Sequence, residues 1–354
     1  MLGTVPDLLR LLAVPALGWA AWRDVRTRRV PNAVWYPLGL LGVALLAWDA
    51  WGHLPPAGFE DRLFLLRVGV SLGFVAPLAV AFWWFGAFGG ADAKAFLAVA
   101  VLFPTYPTYY LPWAALPAVV TSLGVFSMTV LSNTVVLGLL FPLALSARNL
   151  AAGELSPLMF LGRRLPVSEL AGAHGKLFET REGIDRDGLD LDALRMYLRW
   201  RGTTLAAVRA DPAAHRDPGS IDGTTAPGDG RVAGADVRGD PAPIPGSGAD
   251  APDGSRGRSD AGADGGAAAG GDGPDPGGSN HDPWGAERFL AELDGSAYGT
   301  TPEKLREGLE LLAARDRVWI SPGIPFIVPL FGGLVVGLTY GDLLFGLLAA
   351  VGAV

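Results

Sequence analysis

The chain of 354 residues contains no cysteine. This absence excludes disulfide bonds, cysteine-ligated metal sites and a thiol nucleophile. Histidine is scarce, with four residues scattered along the chain and none in HxxxH or HExxH spacing: His53, His174, His215 and His281. Helical zinc sites need such spacing. A zinc hydrolase is therefore not expected, and we predict neither a metal nor a cofactor.

Charged residues are also few, at 18% of the chain, whereas half of the residues are hydrophobic. Leu, Val, Ala, Phe, Trp and Gly dominate residues from about 5 to 145 and again from about 324 to 354, and the stretch between is far more polar. A globular domain does not segregate its residues in this way. The composition indicates an integral membrane protein with one large aqueous insert. We expect the lipid bilayer as a partner and no nucleic acid.

A helix needs roughly 20 apolar residues to cross a bilayer, and six apolar segments are candidates, of which the fourth is short. They are about Leu8–Trp22, Val34–Trp51, Leu63–Phe85, Asp92–Phe103, Leu116–Leu145 and Phe326–Val351. We therefore predict an all-α polytopic membrane protein of about six transmembrane helices. A small cytoplasmic domain, α or α+β, is expected as an insertion before the last helix.

Arginine marks one side of the predicted membrane domain. Basic residues follow the first and fifth segments and precede the sixth: Arg23, Arg26, Arg28, Arg29, Arg148, Arg163, Arg164, Arg315 and Arg317. The connection 52–61, between the second and third segments, has no Lys or Arg. The positive-inside rule places the arginine-rich connections in the cytoplasm. This topology puts both termini outside.

The polar insert divides by composition. Residues 1–146 are predicted to be the membrane domain and 323–354 the last span. Residues 147–209 and 284–322 carry apolar clusters and helix signals and should form one cytoplasmic domain in two parts. Residues 210–283 are rich in Gly, Asp and Pro and cannot bury enough apolar surface to offset the entropy of ordering, so we predict a disordered linker.

Two aspartates occupy positions at which a membrane protein normally avoids charge. Asp24 follows the first apolar segment and Asp92 opens the fourth, so the predicted topology brings both to the cytoplasmic face. Alone, Asp24 could be a polar helix end, and Asp92 could be an N-cap after the Gly89-Gly90 turn. Together they fit a shared site, in which one carboxylate acts as base and the other as acid on a single water.

These residues resemble the signatures of a known family. Asp24 is followed seven residues later by Pro31-Asn32, and Gly89-Gly90-Ala91-Asp92 is followed by Lys94. Both patterns are similar to those of prepilin and preflagellin peptidases, intramembrane aspartyl proteases of the GxGD type. Residues 319–326 resemble the archaeal branch. The resemblance implies Asp24 and Asp92 as catalytic residues.

Two features depart from the family pattern. Ala91 stands where the motif has its second glycine, and alanine has less backbone freedom. The Cys-rich loop of bacterial bifunctional members is absent, so methylation of the mature pilin is not implied. Gly89, Gly90 and Lys94 are predicted to shape the site or bind substrate, although Lys94 could equally be a positive-inside anchor.

The resulting prediction is an aspartyl endopeptidase of the cytoplasmic membrane, with its active site facing the cytoplasm. Its substrates would be precursors of pilin-like or archaellin proteins. The main alternative is a cation- or proton-coupled transporter that uses the paired aspartates. A third possibility is a membrane scaffold whose acidic linker binds partners. Asp342 resembles Asp92 only in part, because its motif lacks the first glycine, and Asp342 is not predicted to be catalytic.

Overall fold

The computed structural model describes residues 2–180, 183–185, 188–232, 282–323 and 325–352. It is mostly helical, with 62% helix. The helices are α1 (Val5–Arg10), α2 (Ala13–Thr27), α3 (Trp35–His53), α4 (Phe59–Val70), α5 (Ala76–Trp84), α6 (Gly90–Leu102), α7 (Phe126–Gly138), α8 (Leu140–Ala151), α9 (Leu191–Trp200), α10 (Leu205–Ala210), α11 (Pro212–Arg216), α12 (Ala286–Ala291), α13 (Pro302–Ala314), α14 (Ile327–Thr339) and α15 (Leu343–Ala350). The strands are β1 (Tyr109–Leu111), β2 (Ala114–Leu116), β3 (Arg163–Pro166), β4 (Lys176–Leu177) and β5 (Arg317–Ser321).

Three helical stretches among the described residues are long and apolar enough to cross a membrane: Asn32–His53, Phe59–Trp84 and Phe126–Ala151. The second of these is α4 and α5, joined by a π-helical turn at Ser71–Val75. The other apolar helices that the sequence predicted as spans are shorter, and Ile327–Thr339 is an example. The chain is a membrane protein, and the number of six spans stays a prediction.

The described residues divide into two compact units. The first, here the membrane unit, is Met1–Arg164 with Trp319–Val354, and the second, here the insert unit, is Leu165–Val318. The division lies at residue 164, later than the boundary predicted at 146. Asn149 at the end of α8 explains part of the difference, because its side-chain amide donates to the carbonyl oxygens of Met159 (2.9 Å) and Gly162 (2.7 Å).

Two of the predicted spans are interrupted. The fifth was predicted from Leu116, but residues up to Leu116 form the antiparallel β1–β2 hairpin, in which Tyr109 pairs with Leu116. Helix α7 begins only at Phe126, after Gly124 in a left-handed conformation (φ 74°). The sixth was predicted as one segment, but the helix ends at Thr339 and a new helix, capped by Asp342, begins at Leu343.

The core of the membrane unit forms where α14 packs against α2 and α7, and where α6 packs against α3 and α5. Buried apolar residues fill these contacts, among them Leu17, Phe96, Phe126, Leu330 and Leu334. Gly333 allows α14 to approach α7 closely, because a Cβ at this position would lie only 2.8 Å from Thr134 Oγ1. Small residues at such crossings are typical of membrane helices.

The insert unit has its own core of large aromatic residues. Tyr197 and Trp200 on α9 pack against Phe289 on α12, with ring centroids 5.6 and 5.5 Å from Phe289. The predicted helix after Thr301 is confirmed as α13, and Thr301 caps it through the N–H of Lys304. Strands β3, β5 and β4 form a three-stranded sheet in that order.

The predicted linker begins too early. Residues 210–232 include helix α11 and are held to α9: the N–H of Thr225 donates to the carbonyl oxygen of Trp200 (2.8 Å), and Arg195 Nε donates to that of Gly230 (2.6 Å). The Asp211 side chain caps α11 by accepting a hydrogen bond from the N–H of Ala214, so this polar stretch has local structure without a large apolar core. The remainder of the linker prediction, 233–281, lies outside the described residues.

Candidate active site

Asp24 lies in the last turn of α2. The helix ends at Arg28, which adopts a left-handed conformation (φ 55°) and donates its N–H to the carbonyl oxygen of Asp24 (3.0 Å). The Asp24 side chain is only 9% exposed. Its Oδ2 atom is buried and has no hydrogen-bond partner among the described residues.

Asp92 lies in the first turn of α6, three residues after the N-cap residue Gly89. Its Oδ2 accepts a hydrogen bond from the Gly89 N–H at 3.0 Å. A carboxylate in this position satisfies a backbone donor that the helix leaves unpaired, and it is favoured by the helix dipole. Asp92 is partly exposed, so it remains accessible while its helix fixes it.

The structure brings the two aspartates to the same end of the helix bundle, within electrostatic range of each other. Helix α14 completes the arrangement, because the backbone N–H of its first residue, Ile327, faces the Asp24 carboxylate. Three helices therefore converge on the pair: the C-terminal end of α2 and the N-terminal ends of α6 and α14. Ile327 was not predicted from the sequence, because a backbone donor leaves no side-chain signal.

A cluster of phenylalanines fixes the starts of α6 and α14 against each other. The Phe326 ring lies 4.6 Å from Phe88 and 5.9 Å from Phe96, and Phe88 stacks on Phe96 at 5.5 Å. Phe88 precedes the Gly89-Gly90 turn and Phe326 precedes Ile327, so the cluster positions the residues next to both carboxylates. Aromatic pairs of this kind contribute roughly 0.5–1.5 kcal/mol each beyond their burial.

The glycine turn shows why Gly89 matters and why Ala91 is tolerated. A Cβ on Gly89 would lie 3.0 Å from Asp92 Oδ2, whereas one on Gly90 would meet only Trp83 Nε1, at 3.8 Å. Ala91 is already inside α6, where the backbone is helical and alanine is the most favoured residue. The departure from the family motif therefore has no conformational cost here.

Lys94 contacts the chain that follows α2. Its ammonium group donates to Asn32 Oδ1 at 2.6 Å. Asn32 begins the short 3-10 helix Asn32–Val34 that follows the arginine-rich connection. The pair ties α6 to the chain after α2, so the two halves of the sequence signature, Pro31-Asn32 and Asp92 with Lys94, meet in space.

The sequence model of the type IV leader peptidase family matches residues 11–148. Over these residues the chain is similar to type IV leader peptidases. The match confirms the predicted resemblance to prepilin and preflagellin peptidases, and it includes both Asp24 and Asp92. No curated protein and no solved structure matches the chain significantly.

The match of residues 11–148 to this family implies a peptidase. Among the described residues, no group of three or more His, Cys, Asp or Glu side chains is placed to hold a metal ion. The chemistry available at the converging helix ends is that of two carboxyl groups with nearby backbone donors. Such a pair can activate a water and protonate a leaving amine.

Two other aspartates of the membrane unit have structural contacts away from the pair. Asp49 forms an ion pair with Arg10, whose Nε also donates to the carbonyl oxygen of Leu102 at the far end of α6 from Asp92. Asp342 is 3% exposed and caps α15, accepting from the N–H of Phe345 (3.0 Å).

The hydroxyl groups of Thr129 and Ser132 each donate to Asp342 Oδ2, at 2.9 Å. Asp342 therefore joins α7 to the start of α15, which explains the charge without a catalytic role.

A cavity of about 680 Å³ in the membrane unit does not mark the candidate site. It is lined by the last turns of α3, including Trp48, Asp49 and His53. Helix α3 has 19 residues, so its two ends lie about 28 Å apart at 1.5 Å per residue. The Lys94–Asn32 contact lies next to the first end, and the cavity lies at the second.

Proposed function

We propose that this protein is a membrane aspartyl endopeptidase that removes the leader peptide of pilin-like or archaellin precursors at the cytoplasmic face of the cell membrane. The observation that supports the proposal best is the convergence of Asp24 and Asp92, from different helices, at one end of the bundle. The family match covers both residues. A site at helix ends favours a peptidase over a transporter, whose ion site is expected nearer the middle of the membrane.

The proposed mechanism uses both carboxyl groups. One is ionised and takes a proton from water as the water oxygen attacks the scissile carbonyl carbon. The other is protonated, polarises the carbonyl oxygen and then gives its proton to the leaving amine as the C–N bond breaks. The pair titrates as a unit, so the two roles are assigned to the dyad and not to its members.

The proposed substrate follows from where the pair lies. A carboxyl pair at the end of a helix bundle can reach a peptide at the membrane surface, just before an apolar helix enters the bilayer. A basic leader followed by an apolar segment has this form, and the positive-inside rule applied to the arginine-rich connections supports a cytoplasmic position for the pair. The resemblance of residues 319–326 supports an archaeal-type substrate, such as an archaellin precursor.

Substitution of each aspartate by asparagine tests the proposal. An asparagine side chain at either position could neither accept the proton of the water nor share one, so D24N and D92N should each abolish cleavage of a precursor in a gel-shift assay. The losses should be non-additive, because the two residues act together. If either single variant cleaves the true substrate at a near-normal rate, the aspartyl peptidase proposal is wrong.

The chain offers a matched control at α4. Asp61 is the third residue after the N-cap Gly58, and its Oδ2 accepts from the Gly58 N–H at 2.9 Å, as Asp92 does from Gly89. D61N therefore removes the same helix-capping carboxylate away from the catalytic pair. Cleavage by D61N should be close to normal, so any loss in D92N beyond that control reports chemistry rather than helix capping.

A further inference from the structure

We propose that Arg28 is a third catalytic residue, whose guanidinium donates a hydrogen bond to the scissile carbonyl oxygen as negative charge develops on it. This inference rests on the proposed peptidase function and adds a residue to the aspartate pair.

The first observation is the backbone of Arg28. It is one of the few non-glycine residues with a positive φ (55°), at the position where helices most often end with glycine. A left-handed conformation disfavours any residue with a Cβ. The chain keeps a long charged side chain where glycine would be the most stable choice, and an outlier of this kind points to a role for the side chain.

The second observation is where the side chain lies. The Arg28 guanidinium is within electrostatic range of both Asp24 and Arg163. Its Nη2 donates to the carbonyl oxygen of Pro322 at 3.4 Å, in the segment that leads to α14. One contact therefore orients the guanidinium, and it does so beside the aspartate rather than in open solvent.

The third observation is a pair of unpartnered polar atoms. Arg28 Nε and Asp24 Oδ2 are both buried, and each lacks a hydrogen-bond partner among the described residues. A buried donor or acceptor without a partner is costly, so such atoms point to a bound molecule that completes them. The two side chains interact electrostatically, but these two atoms are not hydrogen-bonded to each other.

A peptide undergoing hydrolysis matches these two atoms. The attacking water offers a proton to a carboxylate oxygen, and the carbonyl oxygen needs a donor as it becomes an oxyanion. In the proposed step, the water oxygen bonds to the carbonyl carbon, its proton passes to the ionised carboxylate, and the electron pair of the C=O bond moves to oxygen. Arg28 Nε–H then donates to that oxygen, and its positive charge offsets the new negative charge until the C–N bond breaks.

The experiment compares Arg28→Gln and Arg28→Gly with Arg26→Gln in steady-state cleavage of a purified pilin-like precursor by the full-length protein. Arg26 is the control, because it belongs to the same basic connection but lies over the Trp22 ring, 4.7 Å from its centroid. Loss of one oxyanion donor typically lowers kcat about 100- to 1,000-fold. We expect that loss in R28Q and R28G, with KM changed less than about threefold, and normal kcat in R26Q.

The glycine variant separates catalysis from folding. Glycine suits the left-handed backbone at position 28, so R28G should melt at a temperature no lower than the unsubstituted protein. Unchanged kcat in R28Q and R28G, an equal loss in R26Q, or a lowered melting temperature in R28G would each overturn the role of Arg28. D24N is assayed beside them: if D24N is inactive and R28Q is normal, only this inference fails, whereas an active D24N rejects the peptidase proposal itself.

Discussion

Substitution of Gly89 by alanine tests how closely the turn before α6 must approach the Asp92 carboxylate. The φ and ψ angles of Gly89 (−67° and 157°) are open to any residue, so alanine introduces no backbone strain. The new Cβ would lie 3.0 Å from Asp92 Oδ2, a distance that requires the carboxylate to move by a few tenths of an ångström. The substitution therefore displaces one of the two proposed catalytic groups without removing it.

The expected effect is a loss of activity larger than the loss of stability. Small displacements of reacting groups lower rates by up to about 100-fold, and we expect a 10- to 100-fold fall in kcat/KM for G89A. This corresponds to about 1.4–2.7 kcal/mol in the activation free energy, at 1.36 kcal/mol per factor of ten. The cost of alanine at a helix N-cap is about 1 kcal/mol of stability at most, and it should appear as a small decrease in melting temperature.

G58A is the matched control. Gly58 precedes α4 as Gly89 precedes α6, but a Cβ on Gly58 would lie 3.7 Å from Asp61 Oδ2, an ordinary contact distance. Both variants are assayed by gel shift of a pilin-like precursor and by thermal unfolding in detergent. G89A cleaving within about threefold of the unsubstituted protein, or G58A losing as much activity as G89A, would refute the argument that Gly89 is required by the position of Asp92.

Three further predictions concern stability. D342N should lower the melting temperature, because Asp342 binds Thr129, Ser132 and the start of α15, and disturbing such a buried hydrogen-bond network costs roughly 1–3 kcal/mol of stability. Cleavage at permissive temperature should persist, because Asp342 lies outside the aspartate pair. Replacing 233–281 by a bridge of about ten Gly and Ser residues should leave folding and cleavage largely intact, since loop-closure free energy changes by only about 0.6 kcal/mol per doubling of length; a chain that expresses normally but does not cleave would contradict this. Burial raises the pKa of Asp190 to about 6, so the folded state binds a proton more tightly than the unfolded chain, and the stability this gives is lost as the pH rises from about 4 to 6. Asp190→Asn keeps the N-cap and should therefore raise the melting temperature more at pH 7.5 than at pH 4.5. An equal shift at both pH values would show that the titration of Asp190 does not affect stability.

Much of the membrane unit follows from local sequence. Apolar segments of helical length identify the helices, because a bilayer leaves no other partner for backbone polar groups. Asp24 and Asp92 stand out because charge is rare at such positions. The placement of both at one end of the bundle follows from counting antiparallel segments, so the candidate pair could be found without tertiary contacts. The helix after Thr301 was predicted for a similar reason, since its capping signal is local.

The boundaries were less predictable where polar contacts between distant residues decide them. The hairpin β1–β2 replaces the start of the predicted fifth span, and Asp342 divides the sixth because Thr129 and Ser132 on α7 satisfy its carboxylate. Residues 210–232 were assigned to a linker on composition. Their backbone instead finds partners on α9, a contact that composition does not encode.

Sequence alone determined the helical class and the resemblance to a peptidase family, and it proposed the two aspartates as the catalytic pair, because each depends on residue type and local spacing. Tertiary structure alone decided what surrounds them. The N–H of Ile327 reaches Asp24 from about 300 residues away in sequence, and the carbonyl oxygen of Pro322 binds the Arg28 guanidinium from a similar distance. Local patterns carry no information about such contacts, because they form only when α14 packs against α2 and α6.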